Sequence, residues 1–193
     1  MNTLSPTAPV TLPPGTRLDE LEIKGVLGIG GFGIVYLAFD HSLERLVAFK
    51  EFMPASLAER CEQAVTVRPG ADSDLFALGM RSFVNEARLL ARFDHPALVK
   101  VLRFWEANGT AYMTMPYYKG QTLRAARAAM GGAPREAWLR AVSEPLLCAL
   151  DVLHAERVFH RDIAPDNILL LPQGAPVLLD FGAARREIGR AHV

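Results

Sequence analysis

The residues best suited to chemistry lie in the run 160–167, HRDIAPDN, which fits the spacing H-R-D-x-x-x-x-N. A second short motif, Asp180-Phe181-Gly182, begins thirteen residues after Asn167. Asn167 and Asp180 offer the hard oxygen ligands that Mg²⁺ prefers. Asp162 then remains to orient a hydroxyl nucleophile. The two motifs together predict a magnesium site beside a group that handles a hydroxyl proton.

A second candidate is the glycine-rich run 28–33, GIGGFG, which has the spacing G-x-G-x-x-G. The spacing alone is not specific, because a dinucleotide-binding turn between a strand and a helix has the same spelling. Here the run continues into Ile34-Val35-Tyr36, which predicts a second strand. A hairpin of this kind lets backbone N–H groups approach phosphates without interference from a Cβ atom. A plain hairpin turn also fits the motif taken by itself.

Lys50 stands at the end of the apolar run Val47-Ala48-Phe49. Taken alone, it fits a surface lysine. If it instead points into a cleft, it needs an anionic partner, and Glu86 is the natural one, since a carboxylate beside an apolar stripe is costly unless paired. Such a pair would hold the ammonium toward phosphates. Glu86 taken alone fits a solvated helix flank.

Short strands and two long helices are predicted to position these residues. Apolar runs predict strands over 21–27, 34–39, 46–50, 98–104, 110–115, 168–171 and 177–179. Asn108-Gly109 predicts a hairpin turn. Apolar residues at 76, 80, 83, 87 and 90 predict a helix over 75–93, capped by Ser73 or Asp74, and a second helix is predicted over 135–154. Residues 54–74 read as a loop or short irregular insertion.

Composition narrows the class of protein. The chain has 193 residues, half of them hydrophobic, and equal numbers of acidic and basic residues. A zero net charge argues against a nucleic-acid or membrane partner held by bulk charge. Cys61 and Cys148 are too far apart in the sequence for a zinc motif and favour a reduced, cytoplasmic setting. No apolar run is long enough for a transmembrane segment. Residues 1–16 read as a flexible leader.

In this order the motifs resemble the eukaryotic-type protein kinase family, most of all the bacterial serine/threonine kinases. Segments 47–54 (VAFKEFMP), 95–96 (HP), 108–112 (NGTAY) and 180–185 (DFGAAR) strengthen the resemblance, which runs from about residue 17 to 186. It implies an α+β, protein-kinase-like fold. A β-rich N-lobe with one helix would occupy 17–116, and an incomplete, mainly helical C-lobe would occupy 117–193.

The resemblance also implies that these residues converge on Mg²⁺ and ATP in a cleft between the lobes. Lys50 would bind the α/β-phosphates and Glu86 would hold it. Asp162 would orient the substrate hydroxyl, while Asn167 and Asp180 would hold Mg²⁺. The ATP-contacting residues that it implies are Leu27, Gly28, Gly30, Gly33, Val35, Ala48, Lys50, Met115, Pro116, Tyr118 and Leu169.

Two departures from the family pattern are visible. Ala164 stands where serine/threonine kinases usually carry a lysine that reaches the γ-phosphate, which leaves the hydroxyl specificity open. The chain also stops eleven residues after Gly182, whereas the family continues with an activation segment, an Ala-Pro-Glu motif and further helices. We therefore expect a fragment of a longer kinase, a truncated product or a degenerate paralogue.

The resemblance implies ATP-dependent phosphoryl transfer to Ser/Thr hydroxyls of a protein substrate. The alternative is a truncated or degenerate kinase-like nucleotide-binding module with little or no catalysis. The intact Lys50, Glu86 and Asp162 favour the first interpretation, and the absent lower-lobe sequence favours the second. A small-molecule phosphotransferase of related fold is a third interpretation, which the intact His160-Arg161-Asp162 motif disfavours.

Overall fold

The computed structural model describes residues 11–182 and 184–186. They form two compact units, one containing the residues up to Ala87 together with Val101–Tyr117, the other containing Arg88–Lys100 and the residues from Tyr118 onward. The second division lies between Tyr117 and Tyr118, and the segment Arg88–Lys100 belongs to the second unit. The lobes expected over 17–116 and 117–193 stay predictions.

The helices and strands follow one another in a β-rich first unit and a mixed second unit. In chain order they are β1 Arg17–Leu18, β2 Leu21–Ile29, β3 Gly33–Asp40, β4 Arg45–Phe52, β5 Ala58–Cys61, β6 Ala64–Val67, α1 Ser73–Leu90, β7 Arg103–Ala107, β8 Thr110–Pro116, β9 Gln121–Thr122, α2 Leu123–Ala128, α3 Glu136–Ala155, β10 Val158–Phe159, β11 Ile168–Leu170, β12 Pro176–Leu178 and β13 Arg185–Arg186.

The first unit is built on a six-stranded antiparallel sheet in the order β1-β2-β3-β4-β8-β7. The strands predicted over 21–27, 34–39, 46–50 and 110–115 are all confirmed. The strand predicted over 98–104 is wrong for residues 98–102: Leu98 forms only an isolated bridge to Leu178, and the strand begins at Arg103. The backbone turns at Leu98, whose N–H donates to the carbonyl of His95 at 3.0 Å.

Alternation along β4 gives this sheet two different faces. Phe52 lies on the face that α1 covers, with its ring 5.3 Å from Phe76 and 5.9 Å from Phe83 of that helix. Phe49 lies on the opposite face, which we call the outer face. There its ring is 5.2 Å from that of Tyr112, within an aromatic cluster that also contains Tyr36 and Trp105.

The segment 54–74 contains a β-hairpin where the sequence predicted a loop or irregular insertion. Strands β5 and β6 pair antiparallel, and Val65 N–H donates to the Asn108 carbonyl at 2.8 Å. Four-residue strands are too short for a clear alternating pattern, so their periodicity was not visible in the sequence. Leu12 also differs from the expected flexible leader: it is buried, and its N–H donates to the Tyr36 hydroxyl at 3.1 Å. Residues 1–10 lie outside the described residues.

Helix α1 begins and ends slightly earlier than predicted. Its N-terminal cap is Asp72, whose Oδ1 accepts hydrogen bonds from the N–H groups of Asp74 at 2.9 Å and Leu75 at 3.0 Å. Ser73 and Asp74 are therefore the first residues of the helix, not its cap. The predicted apolar stripe is confirmed by the burial of Phe76, Phe83, Ala87 and Leu90.

The second unit is built around α3, which buries Val142, Leu146, Ala149 and Leu153. Beside it lie a three-stranded sheet, β12-β11-β9, and the β10-β13 pair. The short helix α2 was not predicted; its cap is Thr122, whose hydroxyl accepts from the Ala125 N–H at 3.1 Å. Among the described residues, no helix combines the length and apolar character needed to cross a membrane.

The contact between the β5–β6 hairpin and the β7–β8 turn can be tested at Gly109. A Cβ atom there would run into the Val65 carbonyl, and Gly109 has φ of +73°. Gly70 has a similar φ of +81° but open space around it, so Gly70→Ala measures the backbone cost alone. We expect Gly70→Ala to lower the free energy of unfolding by about 1 kcal/mol and Gly109→Ala to lower it by clearly more, measured by urea denaturation. Equal losses of unfolding free energy in the two variants would mean that the β5–β6 hairpin does not pack closely against the β7–β8 turn.

Candidate functional site

The glycine-rich run forms the tip of the β2–β3 hairpin. Gly28 pairs with Val35 and Ile29 with Ile34, and Gly30 N–H donates to the Gly33 carbonyl at 2.8 Å across the tip. The run therefore joins two antiparallel strands. This arrangement excludes the strand–turn–helix context of a dinucleotide-binding motif.

At three of the four glycines in this run, neither the backbone conformation nor the packing of the chain requires glycine. A Cβ atom on Gly28 or Gly31 would meet nothing within 4 Å, and one on Gly30 would meet only the Gly33 carbonyl at 3.8 Å. None of them has a positive φ. Gly33 differs, because a Cβ there would clash with the Glu51 carbonyl. The open side of the tip leaves room for a ligand to approach the backbone closely.

Lys50 and Glu86 form the ion pair that the sequence analysis anticipated. Lys50 Nζ lies 3.0 Å from Glu86 Oε1, and the two side chains are only 15% and 7% exposed. The ammonium also lies 5.7 Å from the centroid of the Phe83 ring. Lys50 is therefore not a surface lysine, and Glu86 is not a solvated flank residue.

Several predicted ligand-contacting residues share the face of the sheet that carries Lys50. Val35 is the cross-strand partner of Lys50, and Ala48 lies two residues before it and pairs with Met115. Cross-strand partners and alternate residues of a strand lie on the same side of a sheet. Pro116 ends β8 opposite Val47, and Leu27 is 45% exposed in β2. The first unit thus assembles an apolar surface beside a paired lysine.

His160 anchors the loop 160–167 of the second unit. It is buried, with its ring edge-on to that of Phe181 at 4.5 Å. Its Nδ1 accepts from the Asp162 N–H at 3.3 Å, so the proton lies on Nε2, which is 3.3 Å from the Leu179 carbonyl. Burial lowers the pKa of His160, which favours this neutral form.

Asn167 connects the ends of the same loop. Its Nδ2 donates to the Asp162 carboxylate at 2.8 Å and to the Asp162 carbonyl at 3.1 Å. Because both bonds come from Nδ2, Oδ1 is the atom that can ligate a cation. The Leu179 N–H donates to the Asn167 carbonyl at 2.7 Å, which ties the loop to the residue before Asp180.

Asp180 and Arg161 adopt unusual backbone conformations. Their φ values are +49° and +65°, a region that residues other than glycine seldom occupy. Asp180 Oδ1 accepts from the Gly182 N–H at 3.1 Å. Within the described part of the chain no three His, Cys, Asp or Glu side chains cluster as a metal cage. Mg²⁺ is usually held by one or two carboxylates together with substrate phosphates, so Asn167 and Asp180 fit that ion.

The remaining predicted residues of the second unit lie near the start of α2. Leu169 is half-buried in β11, where it pairs with Thr122 and Val177. Tyr118 is half-buried as well, and burial raises the pKa of its phenol.

One ion pair at this loop was missed by the sequence reasoning. Arg124 Nε donates to both carboxylate oxygens of Asp166, at 2.6 and 2.8 Å, and Arg124 N–H donates to the Pro165 carbonyl at 3.1 Å. Arg124 lowers the pKa of the Asp166 carboxyl. The partners are 42 residues apart, and α2 itself was not predicted, so no local signal pointed to the pair.

Comparisons with known proteins agree with these features. The protein kinase domain model matches residues 21–192. The serine/threonine-protein kinase PknD of Chlamydia pneumoniae is 31% identical over 179 residues, and PknD of Chlamydia caviae is 29% identical over 177. Each match covers 86% of this chain and 17% of the relative. The solved structure "PpkA-294 apo form" is 49% identical, with a TM-score of 0.85, over 90% of this chain and 62% of that one.

The burial of His160 predicts a pH dependence of stability. Its pKa is lowered in the folded state, so below about 6.5 the unfolded chain binds more protons and stability falls as the pH falls. We expect the unfolding free energy to decrease between pH 7 and 5 with a contribution of at most about 1.4 kcal/mol per pH unit from this residue. His160→Gln should remove that contribution, whereas the exposed His154→Gln should keep it. Identical pH profiles for wild type and His160→Gln, measured by denaturation, would contradict this role.

Proposed function

Because the chain belongs to the protein kinase family, we propose that it carries out ATP-dependent phosphoryl transfer to Ser/Thr hydroxyls of a protein substrate. Its fold is the α+β fold of that family, and its matched relatives include serine/threonine kinases. The chain spans 17% of the length of those curated relatives. The observation that carries the proposal is the largely buried Lys50–Glu86 ion pair.

In this proposal the first unit binds ATP. The Lys50 ammonium, held by Glu86, neutralises charge on the α/β-phosphates. The N–H groups of the glycine-rich run donate to phosphate oxygens, which the open space beside Gly28 and Gly30 supports. The base packs on the apolar surface beside the lysine. Its members in the first unit are Leu27, Val35, Ala48 and Met115, with the Pro116 carbonyl as a hydrogen-bonding group. In the second unit, Leu169 and the Tyr118 N–H stay candidate ATP contacts, as the family resemblance implies.

The second unit supplies the groups for transfer. Asn167 Oδ1 and the Asp180 carboxylate would hold Mg²⁺, which contributes positive charge on the phosphate oxygens. Asp162 accepts the proton of the substrate hydroxyl, and its hydrogen bond from Asn167 fixes the direction of its carboxylate. Phosphoryl transfer needs alignment and charge neutralisation more than covalent participation by the protein. The loop contacts of His160 and Asn167 support such alignment.

Two further parts of the proposal concern the setting of the protein. Neither Cys61 nor Cys148 forms a disulfide and both are exposed, which supports a reducing, cytoplasmic environment. The solved kinase chain that matches is longer, because the match covers 90% of this chain but only 62% of that one. We propose that a C-terminal remainder completes the surface that binds the protein substrate.

A second candidate function is nucleotide binding with little or no catalysis. Ala164 favours it, because the cation that serine/threonine kinases usually place at this position is missing. Calorimetry of ATP binding beside radiolabelled transfer to a generic protein substrate separates the two functions. Binding with transfer supports the kinase, and binding without transfer supports the module.

The roles proposed for Asp162 and Asp180 predict that their substitutions affect ATP binding and phosphoryl transfer differently. Asp180→Asn keeps an acceptor for the Gly182 N–H but weakens the metal ligand, so we expect it to lose the Mg²⁺-dependent part of the ATP affinity together with transfer. Asp162→Asn should keep Mg²⁺-dependent binding and lower transfer by roughly 10²- to 10⁴-fold. Asp151→Asn, on the exposed side of α3, is the matched control and should change neither. Full transfer by Asp180→Asn would refute its assigned role.

The missing cation predicts a gain of function. Ala164→Lys should raise kcat roughly tenfold or more, because it restores a positive charge near the transferred group, while ATP affinity stays unchanged. Ala133→Lys, which adds the same charge at an exposed position outside the loop, should leave kcat unchanged. The measurement is initial-rate kinetics at saturating ATP. A lower or unchanged kcat in Ala164→Lys would show that no cation is lacking there.

A further inference from the structure

The outer face of the first unit carries a buried ion pair directly behind Lys50. Glu51 follows Lys50 in β4 and therefore points to the opposite side of the sheet. It is fully buried, and the Arg60 side chain, from β5, is 2% exposed. Arg60 Nη2 donates to Glu51 Oε2, and the Tyr36 hydroxyl donates to the same oxygen at 3.0 Å. The two consecutive charges of β4 are thus each paired, on opposite faces, by different elements.

This pair is poorly suited to a purely stabilising role. Glu51 Oε1 accepts no hydrogen bond of normal geometry, although it is buried. Buried ion pairs are often no more stabilising than well-packed apolar side chains, and an unsatisfied buried oxygen adds a further cost. Burial raises the pKa of the Glu51 carboxyl and of the Tyr112 phenol, to about 12 for the latter, which reflects the same desolvation. A buried ion pair of this kind can instead fix the pairing register of its strand, here β4.

The register of β4 determines where Lys50 and the glycine-rich run lie, and both are proposed to bind phosphates. A slip of β4 by one residue would exchange the faces of Lys50 and Glu51. The end of β4 also contacts the glycine-rich run: Gly33 packs against the Glu51 carbonyl, and Met53 N–H donates to the Phe32 carbonyl at 3.1 Å. A displacement of β4 at Glu51 would therefore move both groups that approach the phosphates.

The hairpin that carries Arg60 is itself anchored to the sheet. Val65 N–H bonds to the Asn108 carbonyl at 2.8 Å, and Gly109 lies close against the Val65 carbonyl. Leu12 covers the same face through its bond to the Tyr36 hydroxyl. The β5–β6 hairpin is consequently a fixed support on the outer face.

We propose that Arg60 is a positioning residue for phosphate binding, which it serves by holding Glu51 on the outer face and so fixing Lys50 and the glycine-rich run on the other. The inference rests on the proposed function, because Lys50 is assigned there to the phosphates of ATP. The 58–67 hairpin then belongs to the nucleotide-binding machinery, even though none of its residues is proposed to touch the ligand.

The test compares ATP with adenosine, which lacks the phosphates, by calorimetry on the full chain. We expect Arg60→Met to weaken ATP binding roughly tenfold to hundredfold, with adenosine binding unchanged, because only the phosphate contacts are displaced. Arg60→Lys should recover part of the loss. Arg68→Met is the matched control, since Arg68 Nε donates to the Ala58 carbonyl within the hairpin and not to β4. It should bind both ligands as the wild type does.

A second variant keeps the proposal falsifiable if Arg60→Met does not fold. Glu51→Leu combined with Arg60→Met removes both buried charges and should fold, yet it should show the same selective loss of ATP affinity. Wild-type ATP affinity in either folded variant would overturn the inference, as would a parallel loss of ATP and adenosine, which indicates a general structural role. A wild-type chain that binds neither ligand would overturn the proposed function as well, so the two failures are distinguishable.

Discussion

The first unit depends on the alternation of side chains along β4, which sends two consecutive charges to opposite faces of one sheet. Lys50 is only 15% exposed and Glu51 is fully buried, so each needs a partner close by. Glu86 comes from α1 on one face and Arg60 from the β5–β6 hairpin on the other. A register shifted by one residue would leave all four charges unpaired. The charges therefore specify which elements must cover each face.

In the second unit, side-chain and backbone hydrogen bonds hold the polar residues of the loop 160–167 in place. The loop that is proposed to present Asp162 and Asn167 to a ligand contains no helix or strand between Phe159 and Ile168. It is held by the buried side chain of His160 and by the hydrogen bonds from Asn167 to Asp162. Arg161, the residue directly after the buried His160, has a positive φ. Strain of this kind persists only where the surrounding contacts over-determine the conformation.

Sequence patterns were sufficient to predict the elements that depend on residues close together in the chain. The central strands, the Asn108-Gly109 turn and the stripe of α1 follow from alternation, turn chemistry and helical spacing. The Lys50–Glu86 pair was predictable because an acidic residue beside an apolar stripe demands a cation. The β5–β6 hairpin was not predicted, since four-residue strands show too little alternation to stand out. The Arg60–Glu51 pair depends on that hairpin, so it could not be anticipated before the fold was known.

Two segments assigned to the proposed site contain residues that depart from ordinary folding preferences. In the first unit, Ile29 and Phe32 are 64% and 78% exposed at the tip of the glycine-rich hairpin, although apolar side chains normally bury. In the second unit, Arg161 and Asp180 occupy the left-handed region of φ. Similar departures occur elsewhere, for example the positive φ of Glu44 and the 59% exposure of Leu147. Natural sequences are consistent across levels except where function opposes folding, so these departures support function only together with the Lys50–Glu86 pair and the loop contacts of Asn167.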